Sequence, residues 1–367
     1  MADKITPIIS SLLLTPLALP AAATAPVVIE STIPAQSGHR ATLRKALFDS
    51  SYQSNIQALS TTQTPMGGYV SELQELWQFP SDHLPIGMTL NGTHIASWNV
   101  LNSAYMSWVL EKNSQGLSRS LLAQEHIPVN DSGLTLRDVH VIECIKSMLE
   151  HPTNPRSILA LQECGPAFIE ELQRQLSEDY GIVFSCDPSL PDQNIVIYDK
   201  RVFAYDPSKS EIKTDVFANS PGRSVMSLCF NRGGDVFIQQ AGASKNVRII
   251  NAHLPGEPGS KAPEEFAAYV ASVTSPDEIT IAMGDMNFNE IEMGAAFAQN
   301  TPNGYHLDTL SPYCTNVGPY TFNSKAIDHF FVFGTDKHVI SQNSPEETLI
   351  GLQETVDLLS VNAFAAR

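Results

Sequence analysis

The sequence predicts a layered α/β protein, and three observations carry that prediction. From about Ser81 onward, short β-rich runs alternate with amphipathic helical stretches. Hydrophobic residues make up 43% of the chain against 17% charged, enough apolar material to bury a full core. No internal repeat or low-complexity tract interrupts the alternation. At 367 residues the chain is longer than one typical domain, so it reads as one large domain with appendages or as two modest ones.

In chain order, residues 5–25 (ITPIISSLLLTPLALPAAATA) follow a short MADK head and end in small residues, as a secretory signal peptide does. Pro26 blocks cleavage after Ala25 and leaves Ala23 as the alternative cut. The other reading of residues 1–30 is a retained hydrophobic arm. The chain is secreted in the first case and cytoplasmic in the second. Pro7, Pro16, Pro20 and Pro26 argue against a spanning helix here. Residues 31–80 are expected to form a helical segment packed on a main domain over 81–332.

Within that domain the expected strands are THIASWNV (93–100), SILALQ (157–162), IVFSC (182–186), NIVIYD (194–199), RSVMSLCF (223–230), VRIINAHL (247–254), EITIAMGD (278–285) and AIDHFFVF (326–333). Apolar residues at helical spacing predict helices over 137–149 and 166–176, the second opened by Pro166 in its first turn. Turn-rich stretches at 128–133, 187–193, 254–263 and 300–320 are expected loops. Over 333–367 the pattern gives a strand end and then a helix. Ser344, Pro345 and Glu347 form a capping-box arrangement, and Leu349, Leu352, Val356 and Leu359 share a face.

Charge and cysteines narrow the function. With 39 acidic and 22 basic residues the net charge is −17, which argues against non-specific coating of nucleic acid, a broad duplex-binding surface or docking on anionic membranes. Cys144, Cys164, Cys186, Cys229 and Cys314 are dispersed, odd in number and without a CxxC pair. Scattered buried thiols fit this pattern better than a disulfide framework or a zinc site.

Several expected strands end in a polar or ionisable residue: Asn99, Glu163, His253, Asp285 with Asn287 close behind, and Asp328. Any one alone reads most simply as a helix cap or a solvated loop residue. Together at one sheet edge they fit a hard-cation site acting on phosphate. Mg²⁺ takes one or two carboxylates plus waters and substrate oxygens, amides hold phosphate or water, and imidazole neutralises developing charge.

The order and wording of these motifs resemble the endonuclease/exonuclease/phosphatase superfamily. The strings that carry the resemblance are SWNVLNSAY (97–105), ILALQE (158–163), NIVIYDKRVF (194–203), INAHL (250–254), GDMN (284–287) and YTFNSKAIDHFFV (320–332). The resemblance implies a DNase I-like four-layer α/β sandwich, with two packed β-sheets flanked by helices, and divalent-metal-dependent hydrolysis of phosphate esters using Mg²⁺, with Mn²⁺ as a substitute. It also implies roles. Glu163 is the principal metal ligand, with Asn99 beside it orienting metal and phosphate. Asp285 aligns or deprotonates the attacking water, Asn287 positions phosphate and water, and His253 donates to the phosphate. Asp328 orients a catalytic histidine, and Asn194 and Tyr105 contact substrate.

In the family that histidine lies in a Ser-Asp-His-x-Pro string near the C-terminus. Here SDHLPIG stands at 81–87, ahead of the first strand, while His338 lacks the proline and His329 should face the other side of its strand from Asp328. A circular permutant explains this order if Asn91-Gly92, a strong hairpin signal, joins the His83 segment to the first strand. With Leu90 facing Thr93, paired positions sum to 183, which sets His83 beside Asn99 and makes Asp82 a further candidate metal ligand. The alternative is a loop at 81–83 with no role.

The flanking residues look most like the deadenylase and 2′,5′-phosphodiesterase branch, so the expected substrate is a phosphodiester of single-stranded nucleic acid or a nucleotide. Trp98, Trp108, Phe288 and Tyr320 are candidate stacking platforms. Lys200, Arg223 and Lys325 read as scattered, which disfavours an inositol-phosphate or nucleotide phosphatase. A sphingomyelinase-like lipid hydrolase and a catalytically silent partner-binding protein are the remaining alternatives.

Overall fold

The computed structural model of the chain describes residues 81–105, 129–150, 157–185, 192–232, 246–310, 326–335 and 340–342, apart from positions 82, 84, 130, 132, 221 and 258. The expected N-terminal segments (1–80), the C-terminal helix, Asp82, His338, Trp108, Tyr320, Lys325, Cys186 and Cys314 all lie outside the described residues.

Every run read as a strand is one, to within about two residues at each end. In chain order the elements are β1 (Ile86–Leu90), β2 (Thr93–Asn99), α1 (Leu136–Leu149), β3 (Ile158–Cys164), α2 (Pro166–Gln175), β4 (Tyr180–Phe184), β5 (Gln193–Asp199) and β6 (Phe203–Lys213). They continue with β7 (Val225–Arg232), β8 (Asn246–His253), α3 (Ala262–Val273), β9 (Glu278–Asp285), α4 (Glu290–Asn300), β10 (His306–Leu310), β11 (Asp328–Gly334) and β12 (Ile340–Gln342). The strands form two six-stranded sheets, ordered β12-β1-β2-β3-β5-β4 and β10-β11-β9-β8-β7-β6. Each holds one parallel pair, β2 with β3 and β8 with β9, joined through the crossover helices α1 and α3.

The hairpin at Asn91-Gly92 is present. Both residues take positive φ, 48° and 78°, and the pairs run from Leu90↔Thr93 to Ile86↔Ser97. Three features differ from the sequence reading. Helices α3 and α4 were not expected, although Glu264 and Glu265 favour the first turn of α3, and Asn289 with Glu292 forms a capping box on α4. The stretch 300–320, read wholly as loop, contains β10. The polar DPSKSEIK segment lies in β6, which escaped prediction because it is the edge strand of its sheet, where Pro207 and a register shift between Asp206 and Glu211 are tolerated.

Helices cover both sheets. Between the sheets Leu228, Ile249, Ile281, Met283 and Phe330 belong to one core that also takes in Ile145 and Leu149 of α1 and Leu172 of α2. The other face of the second sheet offers Ile250, Ala252, Ala282, Phe331 and Phe333 to Phe266 of α3 and Phe297 of α4. Neighbouring positions in β8 and β11 are therefore buried on opposite faces, which is why those strands read as continuous apolar runs. The result is the expected four-layer α/β sandwich. Cys144, Cys164 and Cys229 are buried free thiols. No helix among the described residues is long and apolar enough to cross a membrane.

Candidate active site

The topology explains why the polar strand ends meet. β2, β3, β8 and β9 finish at one edge of the sandwich, and the antiparallel β1 and β11 begin there. In the second sheet His253, Asp285 and Asp328 form one row, because Asp285 is the register partner of both others. Across from that row the first sheet contributes Asn99, Glu163 and the segment leading into β1.

Asn99 links the two sheets. Its Nδ2 donates to Glu163 Oε1 and to Asp285 Oδ2, each at 2.9 Å, and its Oδ1 accepts from Leu101 N–H at 2.9 Å. That last bond fixes the orientation of the amide. Asn99 was expected to stand beside Glu163 and orient metal and phosphate; its NH₂ bridges the two carboxylates. The second oxygen of Glu163 accepts from Asn102 N–H at 3.2 Å.

Leu101, Glu163 and Asn287 all take left-handed backbone conformations, with φ of 59°, 58° and 56°. In non-glycine residues these cost about 1–3 kcal/mol each and collect at functional sites. At Glu163 the conformation coincides with a register shift between Leu161 and Cys164, a bulge that re-aims the carboxylate. Asn287 N–H donates to Asp285 Oδ1 at 2.9 Å, while its side-chain amide donates to Leu254 O at 2.8 Å.

His83 completes the site. Its Nδ1 lies 2.8 Å from Asp328 Oδ2 and its Nε2 lies 3.6 Å from Asp285 Oδ2. Trp98 Nε1 donates to the His83 carbonyl at 2.8 Å, and Ser81 Oγ donates to the Asn99 carbonyl at 2.7 Å, which ties the segment to β2. Trp98 is thus fully buried support and cannot stack on a ligand. Phe288 is half-buried against the core that holds Phe266 and Phe297. His329 faces away from Asp328, as expected, and bonds Phe288 O at 2.8 Å.

The electrostatics favour distinct protonation states. Burial, reinforced by Arg223 and His83, pushes His253 well below the usual imidazole range and keeps it neutral. Burial also pushes the Asp285 carboxyl up, with Asp328 adding to it, while His83 and Asn99 pull it back. His253 Nε2 stands 3.7 Å from both Glu163 Oε1 and Asp285 Oδ2, and these three residues form a group whose ligand atoms lie within 4.8 Å of one another. His83, Asp285 and Asp328 form a second such group. The carboxylate oxygens of these groups are fitting donors for Mg²⁺ or Mn²⁺, whereas a neutral imidazole nitrogen suits softer divalent metals better.

The remaining expected residues stand at the margin. Asn194 Nδ2 donates to Ser224 O at 2.7 Å and so fastens β5 to the start of β7. Burial, together with the neighbouring Asp192 carboxylate, raises the pKa of the Tyr105 hydroxyl.

Two further residues were missed in the sequence. Arg137 is 1% exposed; its guanidinium donates to Val100 O at 2.9 Å, to Leu101 O at 2.5 Å and to Asp138 Oδ1 at 3.2 Å. It thereby holds the turn that carries Asn102 N–H to Glu163. Only its place just inside the Thr135–Asp138 capping box, facing the turn after β2, sets it apart in sequence. Arg223, read as scattered, comes to the site's edge with Nη1 3.4 Å from His253 O.

No protein-family model and no curated protein matches the chain. Among solved structures it is similar to a humanized TDP2 from D. rerio, at 16% identity over 70% of this chain and 86% of that one, with a TM-score of 0.39. It is also similar to the human Nocturnin catalytic domain, at 14% identity over 68% and 82%, with a TM-score of 0.40. A mannosyl-6-phosphatase from Bacteroides thetaiotaomicron gives 15% identity over 68% and 94%, with a TM-score of 0.41.

Proposed function

We propose that the chain is a divalent-metal-dependent phosphoesterase of the endonuclease/exonuclease/phosphatase type that hydrolyses a phosphodiester of nucleic-acid or nucleotide kind. The observation that carries this reading is the meeting of Glu163, Asp285 and His253 with the His83–Asp328 pair at one edge, where Asn99 bridges two of the carboxylates. Glu163 is the residue to hold Mg²⁺, with Asp285 and His253 in reach; Asp82 stays a further candidate ligand. When bound, the ion supplies charge withdrawal from a phosphate oxygen.

The chain's own residues do the rest. Asp285, held through Oδ1 by Asn287 N–H and through Oδ2 by Asn99, aligns the attacking water and takes its proton. Neutral His253 donates one N–H to a phosphate oxygen, and the side chain of Asn287 borders the same space. Asp328 fixes the His83 ring, so that its other nitrogen meets the phosphate and stabilises charge that grows in the transition state. The hairpin register and the contact between His83 and Asp328 support the view that the Ser-Asp-His-x-Pro string was moved to the front of the domain by circular permutation.

The test is hydrolysis of bis-p-nitrophenyl phosphate by folded protein. Release of product is expected with Mg²⁺ and none with EDTA or in Glu163→Ala. Folded protein inert on every ester at every metal concentration would instead support a silent partner-binding member. A panel of single-stranded RNA, DNA, inositol phosphates and sphingomyelin then assigns the substrate.

A further inference from the structure

We infer that the substrate carries a second anionic phosphate next to the scissile one and that Arg223 receives it. This rests on the phosphoesterase reading, and it follows from the unlike character of two clefts that share Glu163. The larger, about 330 Å³, is walled by Val100, Leu101, Pro166, Ala167 and Phe168, with Glu163 and Asp138 as its charges. No Lys or Arg is among its described lining residues, and Arg137 behind it is turned to the Val100 and Leu101 carbonyls. That cleft suits an uncharged part of the substrate, and its size is within the range of small-molecule sites.

The smaller cleft, about 90 Å³, is lined by Asp192, Asn194, Arg223, Ser224 and His253 beyond Glu163. It has room for about three waters, or one tetrahedral anion, and is too small for a sugar with its base. Arg223 is the one Lys or Arg among the described lining residues of either cleft.

The geometry fits a waiting cation. A guanidinium has five N–H donors, and Arg223 spends one on His253 O at 3.4 Å, which fixes its direction. Its backbone is anchored on both sides, by Gly222 N–H on Thr214 O at 2.9 Å and by Asn194 on Ser224 O at 2.7 Å. Glu163, Asp285 and Asp328 crowd the centre in a chain of net charge −17, so a multiply charged substrate needs a cation where its next charge falls. In the proposed reading His83, His253 and Asn287 place the scissile phosphate, and the small cleft adjoins that centre through Glu163 and His253, which line it. A guanidinium there binds a neighbouring phosphate in the bidentate manner its planar fork allows.

The experiment compares the dinucleotide dTpdT with pdTpdT and dTpdTp, and inositol 1-phosphate with inositol 1,4-bisphosphate, so that the nucleotide and inositol sources of a second phosphate are told apart. KM is read with Mg²⁺, and equilibrium affinity is read by calorimetry in EDTA. The compound with the second phosphate is expected to bind about tenfold better, the scale of a hydrogen bond to a charged group. Arg223→Gln, which keeps a donor for His253 O, should reduce that ratio to near unity, and Arg223→Lys should keep part of it. A ratio of one in the wild type, or a ratio that survives in Arg223→Gln, overturns the inference. Bis-p-nitrophenyl phosphate, with its single phosphate, reports separately on the phosphoesterase reading.

Discussion

His83 Nδ1 and Asp328 Oδ2 stand 2.8 Å apart although 245 positions separate the residues, and both side chains are almost fully buried. A carboxylate on one imidazole nitrogen selects the tautomer and leaves the other nitrogen for chemistry. His83→Ala is expected to lower kcat on bis-p-nitrophenyl phosphate by about 10²–10³-fold, the usual scale for losing one donor that stabilises transition-state charge. Asp328→Asn should follow it, because an amide supports the wrong tautomer. His338→Ala should keep nearly full activity. A dead His338 variant beside an active His83 variant would refute the assignment and the permutation with it.

The glycine of the GDMN motif has a steric cause. Gly284 takes φ +136°, and a Cβ there would lie 2.0 Å from Ala252 O, its register partner in the parallel pair of β8 and β9. No side chain fits without separating those strands one residue before Asp285. Gly284→Ala is therefore expected to cost more than about 4 kcal/mol in urea unfolding, or to yield insoluble protein. A soluble variant of wild-type stability would disprove the steric account.

Arg137 acts on the site from behind. Arg137→Leu leaves the Val100 and Leu101 carbonyls unbonded by the guanidinium and Asp138 without its cation, a loss of about 3–5 kcal/mol. A positioning role predicts more than lost stability. In folded protein, Mn²⁺ affinity measured by electron paramagnetic resonance should weaken about 10–100-fold. Arg137→Lys should recover part of it. Unchanged Mn²⁺ affinity with lowered stability would reduce Arg137 to a structural residue.

The legibility of this protein divides along a physical line. Strands such as β3, β8, β9 and β11 were readable because burial on both faces writes an unbroken apolar run, and the gathering of polar residues at the candidate site because they end those runs. The hairpin register was readable because Asn91-Gly92 fixes it. What the sequence hid depends on contact between distant segments. The edge strand β6 is held by one neighbour and keeps a polar face. Arg137 and Arg223 look like solvated surface charges until their partners, Val100, Leu101 and His253, are known. The orientation of the Asn99 amide is set by Leu101 N–H, in a left-handed turn that no propensity announces.

Stability should also record His140. It is buried in α1, its Nδ1 has no hydrogen-bond partner, and burial lowers its pKa from the ordinary 6.5 to about 4. The unfolded chain takes up this proton as the pH falls through 6.5, and the fold does so only near 4, so between these values the unfolded state binds more protons. Unfolding free energy then rises with pH across that window and is lost as the pH falls through it. Urea unfolding at a series of pH values, wild type against His140→Leu, isolates the contribution, because every other titrating group is common to both. The difference should approach one proton in slope between pH 6.5 and about 4 and vanish above 7. Parallel profiles would mean that the imidazole reaches water in the fold, against its burial.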